Sequence, residues 1–344
     1  MTRTTSATAL LGALLFGCAA CERPRAVMGF SGTTMGTSYE VIVETEASAT
    51  DSVALGAVIE RELAHVNRVM STYDSASDAS SFGRHSGTEP VPVDPMLLDV
   101  LEAALEICRE SMGAFDPTVA PLVDAWGFGP EDVPQPPDSA RVAALRGLVG
   151  CDGLTTDPLA GTLAKSQPDA RVDLSGIAKG FAAERIGVAL RGMGYGSALV
   201  DVGGELKAVG SHLDGRPWRV ALEGAGETEP GVFGTIDIAD EAVATSGDFR
   251  NSYEHEGILY AHIIDPRDGF PVPFRGFSVS VVHPDGATAD AWATALTVLG
   301  PDEGFELAVR AGLAASFTWR SPNGVRSRQT PALGGRVTPA GEPR

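Results

Sequence analysis

Apolar residues recur along this chain at two different periods, and the change between them separates strands from helices. Ser38 to Glu44 alternates, with Tyr39, Val41 and Val43 on one side, the two-residue repeat of a half-buried strand. From Asp51 to Met70 the spacing becomes helical through Val53, Val58, Ile59, Leu63, Val66 and Met70, with Asp51 and Ser52 placed as caps. Pro95 to Met112 reads as a second amphipathic helix, closed by Gly113 where helices favour glycine. A third is expected from about Gly176 to Met193, stopping at Gly194.

Short strands dominate the later half: Ser197 to Val202, Trp218 to Leu222, Gly234 to Ile238 and Phe277 to Val282. A helix around Asp290, another from Glu303 to Ala311 and a last strand from Ala314 to Trp319 follow. Strands outnumber helices and come in runs. The pattern therefore predicts an α+β fold, with mixed, largely antiparallel sheets and packed helices, and not a doubly wound parallel sheet. Pro130 to Pro137 reads as a surface loop, and residues 325–344 as a loosely ordered tail.

The N-terminus changes the picture. Arg3 precedes a short apolar run, Ala9 to Gly17, which ends at Cys18 and suits the core of a signal peptide. Leu15-Phe-Gly-Cys18 resembles a bacterial lipobox, whose cysteine is lipidated and becomes the mature N-terminus; plain secretion with cleavage after a small residue is the alternative. Residues 1–17 are thus read as a signal, 18–29 as a lipidated tether carrying Cys21, and 30–324 as the working domain. Cys108 and Cys151 remain, and an exported compartment would permit a disulfide between them. No other apolar run reaches 18 residues.

The 344 residues are 43% hydrophobic and 21% charged, with a formal net charge of −19. Such acidity argues against a nucleic-acid surface, which needs clustered Lys and Arg. It would also repel a free nucleotide unless a cation or a local basic group intervened. Asp290 and Thr294 offer a place for one: four residues apart on a helix, their oxygens share a face, which suits Mg2+ or simply a polar helix edge. No phosphate loop, complete Gly-x-Gly-x-x-Gly, serine-hydrolase elbow or paired zinc spacing is present.

Three other segments carry candidate chemistry. In Val172-Asp-Leu-Ser-Gly-Ile-Ala-Lys179, Ser175 is placed to cap a helix opening at Gly176, whose free N–H groups and Lys179 would favour a phosphate, or would form an ordinary capped helix. Asp116, in Gly113-Ala-Phe-Asp-Pro-Thr118, is a loop acceptor for a ring N–H or a ribose hydroxyl, or a plain Asp-Pro turn. His262 ends a strand beside a turn, where a neutral imidazole can take a proton.

Together, and in this order, these segments resemble the ApbE-type FAD:protein FMN transferase family over residues 30 to about 320. Its marks are Thr34-Met-Gly-Thr37, Ser71-Thr-Tyr-Asp74, Gly113 to Thr118, Trp126-Gly-Phe-Gly129, Asp173 to Gly180, Val202-Gly-Gly204, Ala244-Thr-Ser-Gly-Asp248, His262-Ile-Ile-Asp-Pro266 and Ala289 to Ala295. The resemblance implies one large catalytic domain that moves FMN from FAD onto a Thr or Ser hydroxyl of a target flavoprotein, releasing AMP. It implies Mg2+ held by Asp290 and Thr294 with backbone oxygens of Gly176 and Ala293, and flavin-nucleotide contacts at Met35, Tyr73, Ala114, Phe115, Asp116, Asp173, Lys179 and Ile264. It makes His262 the candidate base. The acceptors it implies are flavoproteins of membrane electron-transport complexes, and the location is the periplasmic side of a bacterial membrane, the inner one, reached through the lipid on Cys18. Serine stands at position 175 where many relatives have glycine. A Mg2+-dependent FAD pyrophosphatase, or a flavin-binding lipoprotein without catalysis, are the alternative readings.

Overall fold

The first two strands, β1 (Ala26–Thr34) and β2 (Thr37–Thr45), pair antiparallel across a two-residue turn. Met35 and Gly36 both take positive φ, 49° and 72°, the geometry that closes such a turn without splaying the strands. The computed structural model describes residues 25–46, 52–130, 135–224, 231–248, 251–274, 276–322 and 324–340. The targeting segment with Cys18 and Cys21, the capping position Asp51, and residues 131–134 of the expected surface loop lie outside the described residues.

After β2 the chain leaves the sheet for a long, mostly helical passage. It runs through α1 (Ser52–Met70), α2 (Asp78–Arg84), β3 (Val91–Pro92) and α3 (Pro95–Glu110), then α4 (Ala120–Ala125) and α5 (Ser139–Arg146). β4 (Leu154–Asp157) and β5 (Thr162–Lys165) add β3 to make a small sheet, and α6 (Ala178–Gly192) closes the passage. α3 begins as its sequence dictates, with Asp94 accepting from the Met96 N–H at 2.9 Å and Pro95 in the first turn, where its missing N–H costs nothing.

The rest is strand-rich: β6 (Ala198–Val202), β7 (Glu205–Val209), β8 (Trp218–Gly224), β9 (Gly231–Ile238), β10 (Ala242–Gly247), β11 (Ser252–His255), β12 (Ile258–Ala261) and β13 (Phe277–His283). Then come α7 (Gly286–Arg310), β14 (Ala314–Ser321), β15 (Gly324–Gln329) and β16 (Thr338–Pro339). α7 is two helices meeting at Gly300, φ 80°, before Pro301, which matches the two expected from sequence.

Eight strands form the main sheet in the order β1-β2-β6-β7-β10-β13-β14-β15, and neighbours pair antiparallel throughout. The α+β expectation is met. Alternation along the strands sends Val41, Val43, Val200, Val202, Ala244 and Val281 into a core shared with Ile59, Leu63, Ile186 and Leu296 of the helices. The opposite face gives Ala208, Val243 and Val282 to a second core with Trp218, Val220, Ile236 and Ile238 of the β16-β9-β8 sheet.

Three boundaries are corrected. β1 begins at Ala26, inside the segment read as tether; it is an edge strand paired only with β2, and a half-exposed strand carries little apolar signal. The tail expected to be loose supplies β15 and β16 and buries Thr330, Leu333 and Val337, since Pro and Gly there make turns within a packed segment. The third helix starts at Ala178, with Ile177 at the N-cap and no side-chain cap. Ser175 instead donates its backbone N–H to Asp173 Oδ1 at 2.7 Å, an Asx turn that delays the helix.

Candidate active site

A cavity of about 950 Å³ opens where the β1–β2 turn, the loops after α1 and α3, the starts of α6 and α7, and the segment after β12 converge. Met35, Tyr73, Ala114, Phe115, Asp116, Asp173, Gly176, Lys179, His262, Ile264, Asp290 and Thr294 all line it. Residues drawn from six separate stretches of sequence thus share one space. Ala293 does not join them. It is fully buried in α7, and its carbonyl accepts the Thr297 hydroxyl at 2.7 Å.

One corner is made of oxygen. Asp290 is 1% exposed, and its Oδ2 accepts the Gly180 N–H at 2.9 Å, a carboxylate at the positive end of α6. Thr294 Oγ1 lies 3.4 Å from the Gly176 carbonyl oxygen and 3.2 Å from the Ser246 hydroxyl. Carboxylate, hydroxyl and carbonyl together are the donor set that a hard divalent cation prefers. The corner depends on close backbone contact: a Cβ at Gly180 would lie 2.1 Å from the Gly286 carbonyl oxygen and 2.7 Å from Asp290 Cβ.

The Asp-Pro turn forms another part of the lining. Asp116 is 6% exposed, and both its oxygens are held. Oδ1 accepts from the Thr118 N–H at 2.8 Å and the Thr118 hydroxyl at 2.6 Å, while Oδ2 accepts from the Cys151 N–H at 3.0 Å. Burial pushes this carboxyl above its ordinary value, against the pull of those bonds. Asp173 is tied to the same turn, its N–H donating to the Pro117 carbonyl at 2.8 Å. Tyr73 stands exposed at the rim, and its hydroxyl donates to the Phe128 carbonyl at 3.0 Å.

His262 faces the cavity from the end of β12. Its Nδ1 lies 3.0 Å from the Asn251 carbonyl, which also accepts the His262 backbone N–H at 3.0 Å. A carbonyl can only accept, so this contact assigns the proton to Nδ1 and the lone pair to Nε2. Lys179 Nζ pairs with Oε1 of buried Glu205 at 3.1 Å, and both line the cavity. Sequence reasoning missed Glu205, just beyond the Val202-Gly-Gly204 segment, and gave no role to Ser246 or Asn251. Asn251 works through its carbonyl, which no residue type announces.

Cys108 and Cys151 are joined as a disulfide, with their Cα atoms 6.5 Å apart. No helix among the described residues is long and apolar enough to cross a membrane.

Residues 35–317 match the ApbE family. The FAD:protein FMN transferase of Vibrio cholerae is 40% identical over 291 residues, covering 84% of this chain and 86% of that protein. The solved flavin transferase ApbE from Vibrio cholerae superposes with a TM-score of 0.82 at 35% identity, over 90% of this chain and 99% of that one. The apo flavinyl transferase ApbE of Pseudomonas stutzeri does so with a TM-score of 0.82 at 33% identity, over 91% and 97%. Sequence, fold and cavity agree: the chain belongs to the ApbE family.

Proposed function

We propose that the chain is a Mg2+-dependent FAD:protein FMN transferase, which splits the FAD pyrophosphate and joins FMN through a phosphoester to a Thr or Ser of a target flavoprotein, releasing AMP. The observation that carries this reading is the single cavity in which an all-oxygen corner, a lysine and an oriented histidine share walls with exposed and buried aromatic side chains. Tyr73 and Phe115 give a flavin ring flat apolar faces, worth ~0.5–1.5 kcal/mol each beyond burial. Asp116 and Asp173 accept from donors on the nucleotide. Lys179, held by Glu205, supplies positive charge beside the phosphates. Magnesium bound by Asp290, Thr294 and the Gly176 carbonyl would offset charge on the pyrophosphate oxygens.

The acceptor hydroxyl gives its proton to His262 Nε2 as its oxygen attacks the FMN phosphorus. The bond from that phosphorus to the bridging oxygen breaks, and the electron pair leaves with AMP. Such a base typically contributes roughly 10²–10⁴-fold. Acceptors are flavoproteins of membrane electron-transport complexes that carry a short Asp-Gly-x-Ser/Thr-type segment. The protein works on the periplasmic side of a bacterial membrane, the inner one, anchored through lipid on Cys18; a Cys18→Ser chain that still partitions with membranes would contradict this.

Incubation with FAD, Mg2+ and a purified acceptor domain is the test. Covalent FMN on the domain supports transfer, AMP without it shows hydrolysis, and neither product leaves binding alone. Asp290→Ala is expected to abolish both reactions. His262→Ala should slow transfer by roughly 10²-fold or more while FAD stays bound. Normal labelling by Asp290→Ala at limiting Mg2+ would refute the metal assignment.

A further inference from the structure

The Cys108–Cys151 disulfide sits against the cavity wall, and no step above uses it. Cys108 is fully buried in the last turn of α3. Its carbonyl accepts the Gly113 N–H at 2.8 Å, so it also fixes the start of the turn that leads to Asp116. Cys151 approaches that turn from its other side: its N–H holds Asp116 Oδ2, while the neighbouring Gly150 N–H holds Thr118 Oγ1 at 2.8 Å. The two sulfurs and an Asp116 carboxylate oxygen all lie within 4.8 Å of one another.

The segment that supplies these two N–H groups is Gly147-Leu-Val-Gly-Cys-Asp-Gly153. Three glycines in seven residues give a backbone with much freedom to lose, and the disulfide is its covalent tie to a rigid helix. We propose that this disulfide is a positioning element of the nucleotide pocket. It fixes the Cys151 amide that orients Asp116, so FAD affinity depends on the oxidation state of Cys108 and Cys151. On reduction the sulfur–sulfur bond breaks, each sulfur gains a hydrogen, and the dithiol reductant closes to its own disulfide. Gly150 and Asp152, on either side of Cys151, line a separate cleft of about 310 Å³.

The proposal rests on Asp116 contacting the nucleotide, and its test separates the two ideas. FAD affinity, KM for FAD and kcat are measured on the full chain, oxidised and after reduction with dithiothreitol, with alkylation and mass spectrometry to count free thiols. A C108A/C151A variant gives a second measurement on a chain that cannot re-oxidise. Loss of the bond is expected to raise Kd and KM for FAD roughly 3- to 10-fold and to leave kcat within about two-fold. In an Asp116→Asn background, removing the disulfide should add no further loss of affinity. A fall in Tm with FAD affinity unchanged would reduce the disulfide to a staple and overturn the proposal. Unchanged FAD affinity in Asp116→Asn alone would overturn both the proposal and the pocket assignment beneath it.

Discussion

Glu44 shows how one side chain links pH to stability. Burial alone would raise its carboxyl, but bonds from the Leu213 N–H at 2.9 Å, His212 and Ser197 outweigh that and hold it below its ordinary value of 4.5. The folded state therefore binds fewer protons here than the unfolded chain. Its contribution is fully present above pH 4.5 and is lost as pH falls through the native value. Asp94, held by His65 and the Met96 N–H, and Asp240, held by Arg191 and the Gly210 N–H, have the same sign. Thermal melts from pH 7 down to pH 3 should lose Tm mainly below about pH 4.5, and Glu44→Gln should flatten that acid limb. A limb unaltered by Glu44→Gln would remove Glu44 from this account. At this scale the sequence was readable where chemistry follows from residue type and spacing. Asp290 and Thr294, four apart on a helix, declared a shared face. Asn251 acts through a carbonyl that every residue has, so its type gives no signal.

Among the elements, the crossing of α6 and α7 sets the oxygen corner. Gly180 and Gly286 let the two backbones approach so closely that neither position has room for a Cβ. Gly180→Ala should push the helices apart and pull Asp290 from the Gly180 N–H. Overpacking of this kind costs about 1–3 kcal/mol, so Tm should fall by several degrees. The Mg2+ concentration for half-maximal activity should rise in the same variant, and a variant with both quantities unchanged would show that the contact does not position Asp290. Long periodic helices such as α1 and α3 were plain in the sequence. The start of α6 was not, because Asp173 and Ser175 fit a cap and an Asx turn equally well. β7, β10 and β11 escaped notice because they are short and carry mixed side chains such as Lys207, Thr245 and Glu254 that break alternation.

Across the whole molecule, the C-terminal segment belongs to the fold. Leu333 is fully buried in the second core, Arg336 pairs with Glu241, and Arg328 lies over the Phe305 ring. Leu333→Ala should cost roughly 2–5 kcal/mol in chemical denaturation, and a chain ending at Ser321 should fail to give a cooperative transition. Full stability after that truncation would restore the reading of a loosely ordered tail, which Pro, Gly and Arg content had suggested. The sheet order has a further consequence, in time. β2 and β6 are neighbours, yet α1 to α6 lie between them, so pairing Tyr39 with Val202 closes a loop of roughly 160 residues. Contacts of such separation form late and slow the folding of the whole sheet. During synthesis the β1–β2 hairpin keeps a bare edge until Val202 has emerged, and the oxygen corner waits for Thr294. A chain interrupted anywhere in between carries an open strand edge and has no complete cavity in which a bound nucleotide could stabilise it.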